Sequence, residues 1–264
     1  MNLLQDKVIV IIGGTTGLGL SAAKACVLNG AKLILVGRGA DSAQEAARLL
    51  GSSVRTKAGD AMDSQTATLA IELALSQFGG FHALYHVAGG SGRKRGDGPL
   101  HEITDEGWDF TLQLNLTSLM NSNRAATKQF LKQQTGGSIL NMGSVLAYSP
   151  SPRFFATHAY TAAKSAVIGF TKSCAAYYAI DQIRFNVVAP ALVETPMAAR
   201  AANDATIQSF ISTKQPLDGG RVGQAEDLDA AVIYFLSDQS RFATGQILSV
   251  DGGWSVTEGQ YPGE

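Results

Sequence analysis

Tyr160 and Lys164 stand four residues apart in "YTAAK", the spacing that puts two side chains on one helix face. A phenol ordinarily titrates at about 10. An adjacent ammonium favours the phenolate and pulls that value down, toward a pH at which tyrosine can give or take a proton. Ser144, in "NMGSVLAY", directly follows an apolar run that reads as a strand. A hydroxyl there could hold a substrate oxygen beside the phenol. Taken alone, a tyrosine and a lysine at this spacing are more often a surface pair. The rest of the chain decides between the two readings.

A second signal lies in "VIVIIGGTTGLGLSAAKA". Gly13, Gly17 and Gly19 fall between a buried strand and a helix. A phosphate-bearing ligand needs close backbone approach there, and glycine removes the Cβ that would obstruct it. The helix N-terminus supplies unpaired N–H groups and positive dipole character for a pyrophosphate. The spacing is G-x-x-x-G-x-G, not the commoner G-x-G-x-x-G, and a tight turn without a ligand is the alternative. In such folds the end of the second strand meets the adenosine ribose. Here it reads "LILVGRGAD". Gly37 carries no carboxylate that would bond a 2′-hydroxyl and repel a 2′-phosphate, and Arg38 adds a bidentate phosphate partner. These residues favour NADP(H) over NAD(H). The alternative is that Arg38 stacks on adenine or faces solvent.

Short β-branched runs alternate with helical patterns, and these elements must position the reactive residues. Strands are expected at Val8–Ile12, Leu33–Val36, Val54–Lys57, Ala83–Val87, Ser138–Met142, Ile183–Val188 and Ile247–Val250. A helix over Leu18–Asn29 is expected to bury Leu20, Ala23, Val27 and Leu28, with Gly30 as its stop. Ser42 and Glu45 have capping-box spacing at a second helix start. Further helices are expected near Ser64–Phe78, Asp105–Gln134 and Thr161–Ala179. Continuous apolar strands between helices imply a parallel, doubly wound α/β sheet of about seven strands, covered on both faces. No linker or repeat divides the chain, so residues 1–264 read as one Rossmann-type domain. Within it, 192–220 is a long irregular connection of the kind that carries substrate contacts.

Composition narrows the function. The net charge is −1, which gives no electrostatic case for nucleic acid or anionic membrane. Cys26 and Cys174 lie far apart and no metal-ligand spacing is present, so no metal site is expected and a reducing, cytoplasmic setting fits. The run Val8–Ile12 is too short for a signal-peptide core, and no later segment is long and apolar enough to span a bilayer.

Together these motifs resemble the short-chain dehydrogenase/reductase family over nearly the whole chain, in particular the 3-oxoacyl-carrier-protein reductases and related secondary-alcohol dehydrogenases. "GGTTGLG", "GDAMD", "WDFTLQLNLTS", "GGSILNMGS", "YTAAK", "RFNVVAPALVETPM" and "TGQILSVDGGWS" follow one another in the family's order. The resemblance implies a catalytic set of Asn115, Ser144, Tyr160 and Lys164. It implies cofactor contacts from Gly13, Thr15, Thr16, Gly17, Leu18 and Gly19, from Arg38, and from Asp60 and Ala61. Ala88, Gly89, Pro190, Val193 and Thr195 would complete them, with Tyr160 and Lys164 shared. Hydride would pass between nicotinamide and a carbon bearing oxygen. Tyr160 would transfer the proton, Ser144 would orient the oxygen, Lys164 would lower the tyrosine pKa and bond the ribose, and Asn115 would hold a relay water. The family also implies a homotetramer, with the long helices near Asp105–Gln134 and Thr161–Ala179 at subunit contacts.

Some residues depart from the family pattern. "HVAG" replaces Asn-Asn-Ala-Gly, which removes two side chains that help fix the central turn and introduces His86, read as a satisfied strand-end histidine. Ala191 stands where glycine usually follows proline. The stretch "YSPSPRFFATHA" is longer than usual and lengthens a substrate-facing loop. Arg93, Lys94 and Arg95 form a basic run that is either a solvated loop or an attractor for a carboxylate, phosphate or carrier surface. Phe154, Phe155, Met197, Phe210 and Ile211 read as pocket wall and lid, or as simple packing. A cofactor-binding protein without turnover is the rival to a carbonyl/alcohol oxidoreductase, and the intact catalytic set argues against it.

Overall fold

A computed structural model describes residues 2–195 and 198–261. Met197 therefore lies outside the described residues. Seven strands form one parallel sheet in the order β3-β2-β1-β4-β5-β6-β7. They are β1 (Val8–Ile12), β2 (Lys32–Gly37), β3 (Val54–Ala58), β4 (Ala83–His86), β5 (Gly137–Met142), β6 (Ile183–Pro190) and β7 (Ile247–Val250). All five β1 residues are buried, because alternate side chains enter different cores. Ile9 and Ile11 pack with Ala22, Ala23 and Cys26 of α1 (Gly17–Leu28) and with Val232 and Phe235 of the C-terminal helix Asp229–Leu236. Val8, Val10 and Ile12 pack on the other face, against α3 (Thr66–Phe78) and α5 (Ser118–Gln133). Among the described residues no helix is long and apolar enough to cross a membrane.

Several sequence expectations change. In α1 the buried residues are Gly19, Ser21, Ala22, Ala23 and Cys26, whereas Leu28 is 81% exposed. The helix lies so close to the sheet that only small side chains fit on its inner face. Helix α2 (Ala40–Leu50) starts after Gly39, two residues before the expected cap. Ser42 is thus inside it, and its hydroxyl donates to the Gly39 carbonyl at 3.0 Å. The long helix expected over Asp105–Gln134 is interrupted. A π-turn at Gln113–Thr117 separates α4 (Asp105–Leu112) from α5. Helix α6 (His158–Tyr178) begins earlier than expected, so Tyr160 sits within its first turn.

The connection after β6 builds a small separate core. Helices α7 (Ala199–Ala202) and α8 (Ala205–Lys214) bring Ile207, Phe210 and Ile211 against Val145 and Trp254, with Phe154 and Phe155 packed around them. Phe210 and Ile211 are fully buried, so they form the floor of this connection and not a lid. Ala191 has no positive φ, and its replacement of glycine is tolerated.

Candidate active site

In an open parallel sheet, ligands bind beyond the strand C-termini where the strand order reverses. Here that point lies between β1 and β4. The sequence-derived site residues gather at the C-terminal ends of β1 to β6: Pro190 closes β6, Asn115 lies in the turn between α4 and α5, and the rest follow a strand or lie on a helix after one.

The turn from β1 into α1 is held by the amides of Gly13 and Gly14, which both donate to the Val36 carbonyl, at 2.9 and 3.0 Å. Gly13 has φ +91°, and a Cβ at Gly19 would overlap the Gly13 carbonyl. The glycines therefore let the helix start fold back on its own turn. Thr16 is the α1 N-cap, yet no side chain caps the helix and no acid lies in its first turn. Leu18 and Gly19 follow in that turn. A Cβ on Gly17 would stand 3.8 Å from Thr195 Cγ2, so the loop after Pro190 crosses the helix start. Val193 anchors that loop through a bridge to Gly223. This open, positively polarised cradle fits a dinucleotide pyrophosphate.

Gly37 has a packing role beyond the one read from sequence. A Cβ there would overlap Thr15 Oγ1. Its lack of a side chain is required by buried Thr15, whose hydroxyl accepts from Ser42 at 3.4 Å, so the phosphate argument rests on exposed Arg38. Asp60 Oδ1 accepts the Met62 amide at 2.9 Å, which fixes the turn carrying Ala61. The Ala88 amide donates to the Ile12 carbonyl at 2.9 Å, tying β4 to β1.

The reactive residues converge next to this cradle. A Cβ on Gly89 would stand 2.8 Å from Asn115 Oδ1 and 3.5 Å from Lys164 Nζ. Asn115, fully buried in the π-turn, accepts the Gly90 amide at 3.0 Å and donates to the carbonyls of Gly90 (2.8 Å) and Thr111 (2.9 Å). Lys164 donates to the Met142 carbonyl at 2.8 Å, and its Nζ lies 5.6 Å from the Tyr160 ring centroid. Burial pulls the Lys164 ammonium down to about 8. Burial also pushes the Tyr160 phenol up, while the neighbouring Ser144 hydroxyl acts the other way. The direction differs from the simple sequence argument: burial, not a pull from Lys164, sets the direction in which the phenol moves. The Ser144 hydroxyl also accepts the Leu146 amide at 3.2 Å.

Sequence reasoning missed Asp97. Its buried carboxylate accepts the amides of Ala159 and Tyr160, each at 3.0 Å, and the Gly98 carbonyl accepts the amide of His158 at 3.2 Å. The first turn of α6 is thus saturated from a loop 62 residues away, and no local pattern announces it. His86 is buried and neutral, pulled down to about 3 by burial and by Lys164. Its Nδ1 pairs with Ser122 Oγ at 2.9 Å and its Nε2 faces Ser118 Oγ at 3.4 Å. These bonds tie β4 to α5 where the family pattern has asparagine. Among the described residues no cluster suited to a metal occurs.

A family model described as "Enoyl-(Acyl carrier protein) reductase" matches residues 13–255. The chain is 34% identical over 255 residues to a 3alpha-hydroxysteroid dehydrogenase of Mediterraneibacter gnavus, covering 95% of this chain and 97% of that one. It is 31% identical to an NADP-dependent (R)-specific alcohol dehydrogenase of Lentilactobacillus kefiri, covering 96% and 98%. A solved short-chain dehydrogenase/reductase from Mycobacterium ulcerans superposes with a TM-score of 0.88 at 28% identity, covering 97% and 92%. A glycine cradle on an uncapped helix, a serine–tyrosine pair beside a buried lysine, and matches of this length all agree: the chain belongs to the short-chain dehydrogenase/reductase family.

Proposed function

We infer that this protein is an NAD(P)-dependent oxidoreductase that interconverts a ketone and a secondary alcohol, with Tyr160 as general acid and base. One observation carries the reading: the Tyr160 ring lies 5.6 Å from the buried ammonium of Lys164, with the Ser144 hydroxyl acting on its phenol. The bound nicotinamide supplies or takes up the hydride. In reduction, Ser144 and Tyr160 donate to the substrate oxygen. The phenol, kept neutral by burial, then gives up its proton as negative charge develops on that oxygen. Lys164 stabilises the phenolate left behind and holds the ribose. Asn115 spends both amide protons on the carbonyls of Gly90 and Thr111, and it would hold the relay water there. A rate screen over ketones and secondary alcohols, run with both cofactors, tests this. Tight cofactor binding without turnover of any of them would favour the silent alternative.

For the cofactor we propose NADP(H), bound at its 2′-phosphate by Arg38 with Thr15 and Ser42 alongside. The similarity to an NADP-dependent alcohol dehydrogenase supports this. Replacing Arg38 by Ala should raise KM for NADPH by about 10- to 100-fold, the range for a lost charge-assisted bond, and leave KM for NADH nearly constant. Equal effects on both would defeat the proposal. We also propose a cytoplasmic homotetramer. Both cysteines are free, as a reducing compartment keeps them. Trp108 on α4 and Tyr177 on α6 are large exposed apolar side chains on the helices expected at subunit contacts. A monomer mass by light scattering would refute the tetramer.

A further inference from the structure

Ser144 opens a closed turn. Its carbonyl accepts the Ala147 amide at 3.1 Å, and the Val145 carbonyl accepts the amides of Tyr148 at 3.1 Å and Ser149 at 2.7 Å. The Ser144 hydroxyl accepts the Leu146 amide, so the turn occupies one lone pair and leaves the hydroxyl proton for a substrate oxygen. The place of that hydroxyl therefore depends on the turn 144–149 as a unit. Beyond it, the lengthened stretch runs through Phe154 and Phe155 to Tyr160, so a reacting residue stands at each end of the segment.

Side chains from distant elements hold this turn. Ser165 donates to the Ala147 carbonyl at 2.8 Å, and the Tyr148 and Ser249 hydroxyls pair at 2.7 Å. Both bonds are exposed, where water competes for the same groups. Trp254 differs, being 1% exposed. Its Nε1 donates to the Ser149 carbonyl at 3.0 Å, across 105 residues of sequence. Its ring lies in the same small core as Val145. It meets Phe155 and Phe210 edge-on, with centroids 5.6 and 6.0 Å away. One buried indole thus grips both ends of the turn, the wall beyond it and α8. Large rings with a satisfied N–H dominate such contacts.

The C-terminal segment is built to aim this indole. Gly252 and Gly253 take φ +62° and +99°, backbone that a side chain would strain. The Asp251 carboxylate accepts the amides of Gly253 and Ser255, each at 3.0 Å, and its carbonyl accepts the Trp254 amide at 3.0 Å. Lys214 of α8 is buried, places Nζ 5.7 Å from the Trp254 ring centroid and donates to the Thr257 carbonyl.

We propose that Trp254 is a positioning residue for the reaction: from the C-terminal turn it sets the Ser144 hydroxyl and the substrate wall that leads to Tyr160. The proposal rests on the oxidoreductase reading, but the hold on the turn can be tested apart from turnover.

The test uses methyl ketones from 2-butanone to acetophenone with NADPH. Trp254→Phe keeps a ring and removes the N–H, whereas Trp254→Leu removes both. Phe81→Leu is the control for a plain core loss: Phe81 is buried and stacks on Phe130 at 4.7 Å, just before β4 at the opposite edge of the sheet. Trp254→Phe should lower kcat for the best ketone by about tenfold, short of the roughly 10²-fold cost of a 1 Å misplacement. NADPH Kd should not change, and Trp254→Leu should lose more. In a Ser144→Ala background the same substitution should cost less than about twofold, because the hydroxyl it positions is gone. Amide exchange across 144–157 should quicken by about tenfold in Trp254→Phe, with α1 unaffected. Phe81→Leu should lose stability in urea with none of these changes. A Trp254→Phe protein with the original kcat overturns the role while the oxidoreductase reading stands. So does an equal loss with and without Ser144, a loss matched by Phe81→Leu, or unaltered exchange at 144–157. If the unaltered protein turns over no ketone, yet exchange there quickens in Trp254→Phe alone, the hold on the turn stands and the oxidoreductase reading fails.

Discussion

Helices α1 and α6 both start at the C-terminal edge of the sheet, and their first turns are treated in opposite ways. At α6 the amides of His158, Ala159 and Tyr160 are all taken by Gly98 and Asp97. At α1 no side chain caps the turn and no acid lies in it. An uncapped N-terminus leaves donors and positive dipole character unspent. In α6 a fixed carboxylate answers that dipole, and the turn holding Tyr160 is rigid before any substrate arrives. In α1 the answer is left to a ligand. The same backbone feature thus serves as a structural anchor in one place and, on the proposed reading, as a binding site in the other. The distinction lies in whether the protein supplies its own anion.

If α6 is the chemical helix, the largest effect belongs to Tyr160. Tyr160→Phe removes the proton donor and should lower kcat by about 10²- to 10⁴-fold, with circular dichroism unchanged. Full retention of activity would end its proposed role. Asp97 comes next. Asp97→Ala leaves the Ala159 and Tyr160 amides, buried and part-buried, without acceptors, a loss of about 2 kcal/mol in urea unfolding. It should also lower kcat, because Tyr160 shares the loosened turn. Asp97→Asn keeps an acceptor oxygen and should recover part of both. A protein as stable and active with alanine as with aspartate would remove the contrast between the two helices.

Much of this was legible from sequence, for physical reasons that also mark the limit. The glycine turn, Ser144, Tyr160 and Lys164 are read from short spacings, because each depends on one strand end or one helix turn. The parallel sheet follows from apolar runs buried on both faces. What depends on distant partners was not legible. The carboxylate that starts α6 comes from a loop far upstream, so the helix was expected at Thr161 and begins at His158. The π-turn that presents Asn115 breaks a segment whose helical pattern is otherwise continuous. Gly37 read as room for a phosphate, but its neighbour Thr15 already requires the missing side chain. The pull of Lys164 on Tyr160 was expected from spacing, but the burial that raises the phenol is a property of the whole fold.

The smallest effect is the most discriminating, because it has two signs. Thr16 is the α1 N-cap, with extended φ/ψ of −148° and 166° and no capping bond from its side chain. Thr16→Asp places a carboxylate where it can accept an amide of the first turn. That should stabilise the cofactor-free protein by about 0.5–1 kcal/mol, read in urea unfolding. The same charge opposes a pyrophosphate, so the NADPH Kd should rise by about tenfold, the size of one unfavourable charge pair near a protein surface. A purely structural N-terminus would gain stability with no change in affinity. Tighter NADPH binding would place the pyrophosphate elsewhere. Stability and affinity moving in opposite directions would show that α1 lacks a cap because its anion arrives with the cofactor. At α6, by contrast, removing Asp97 makes stability and activity fall together.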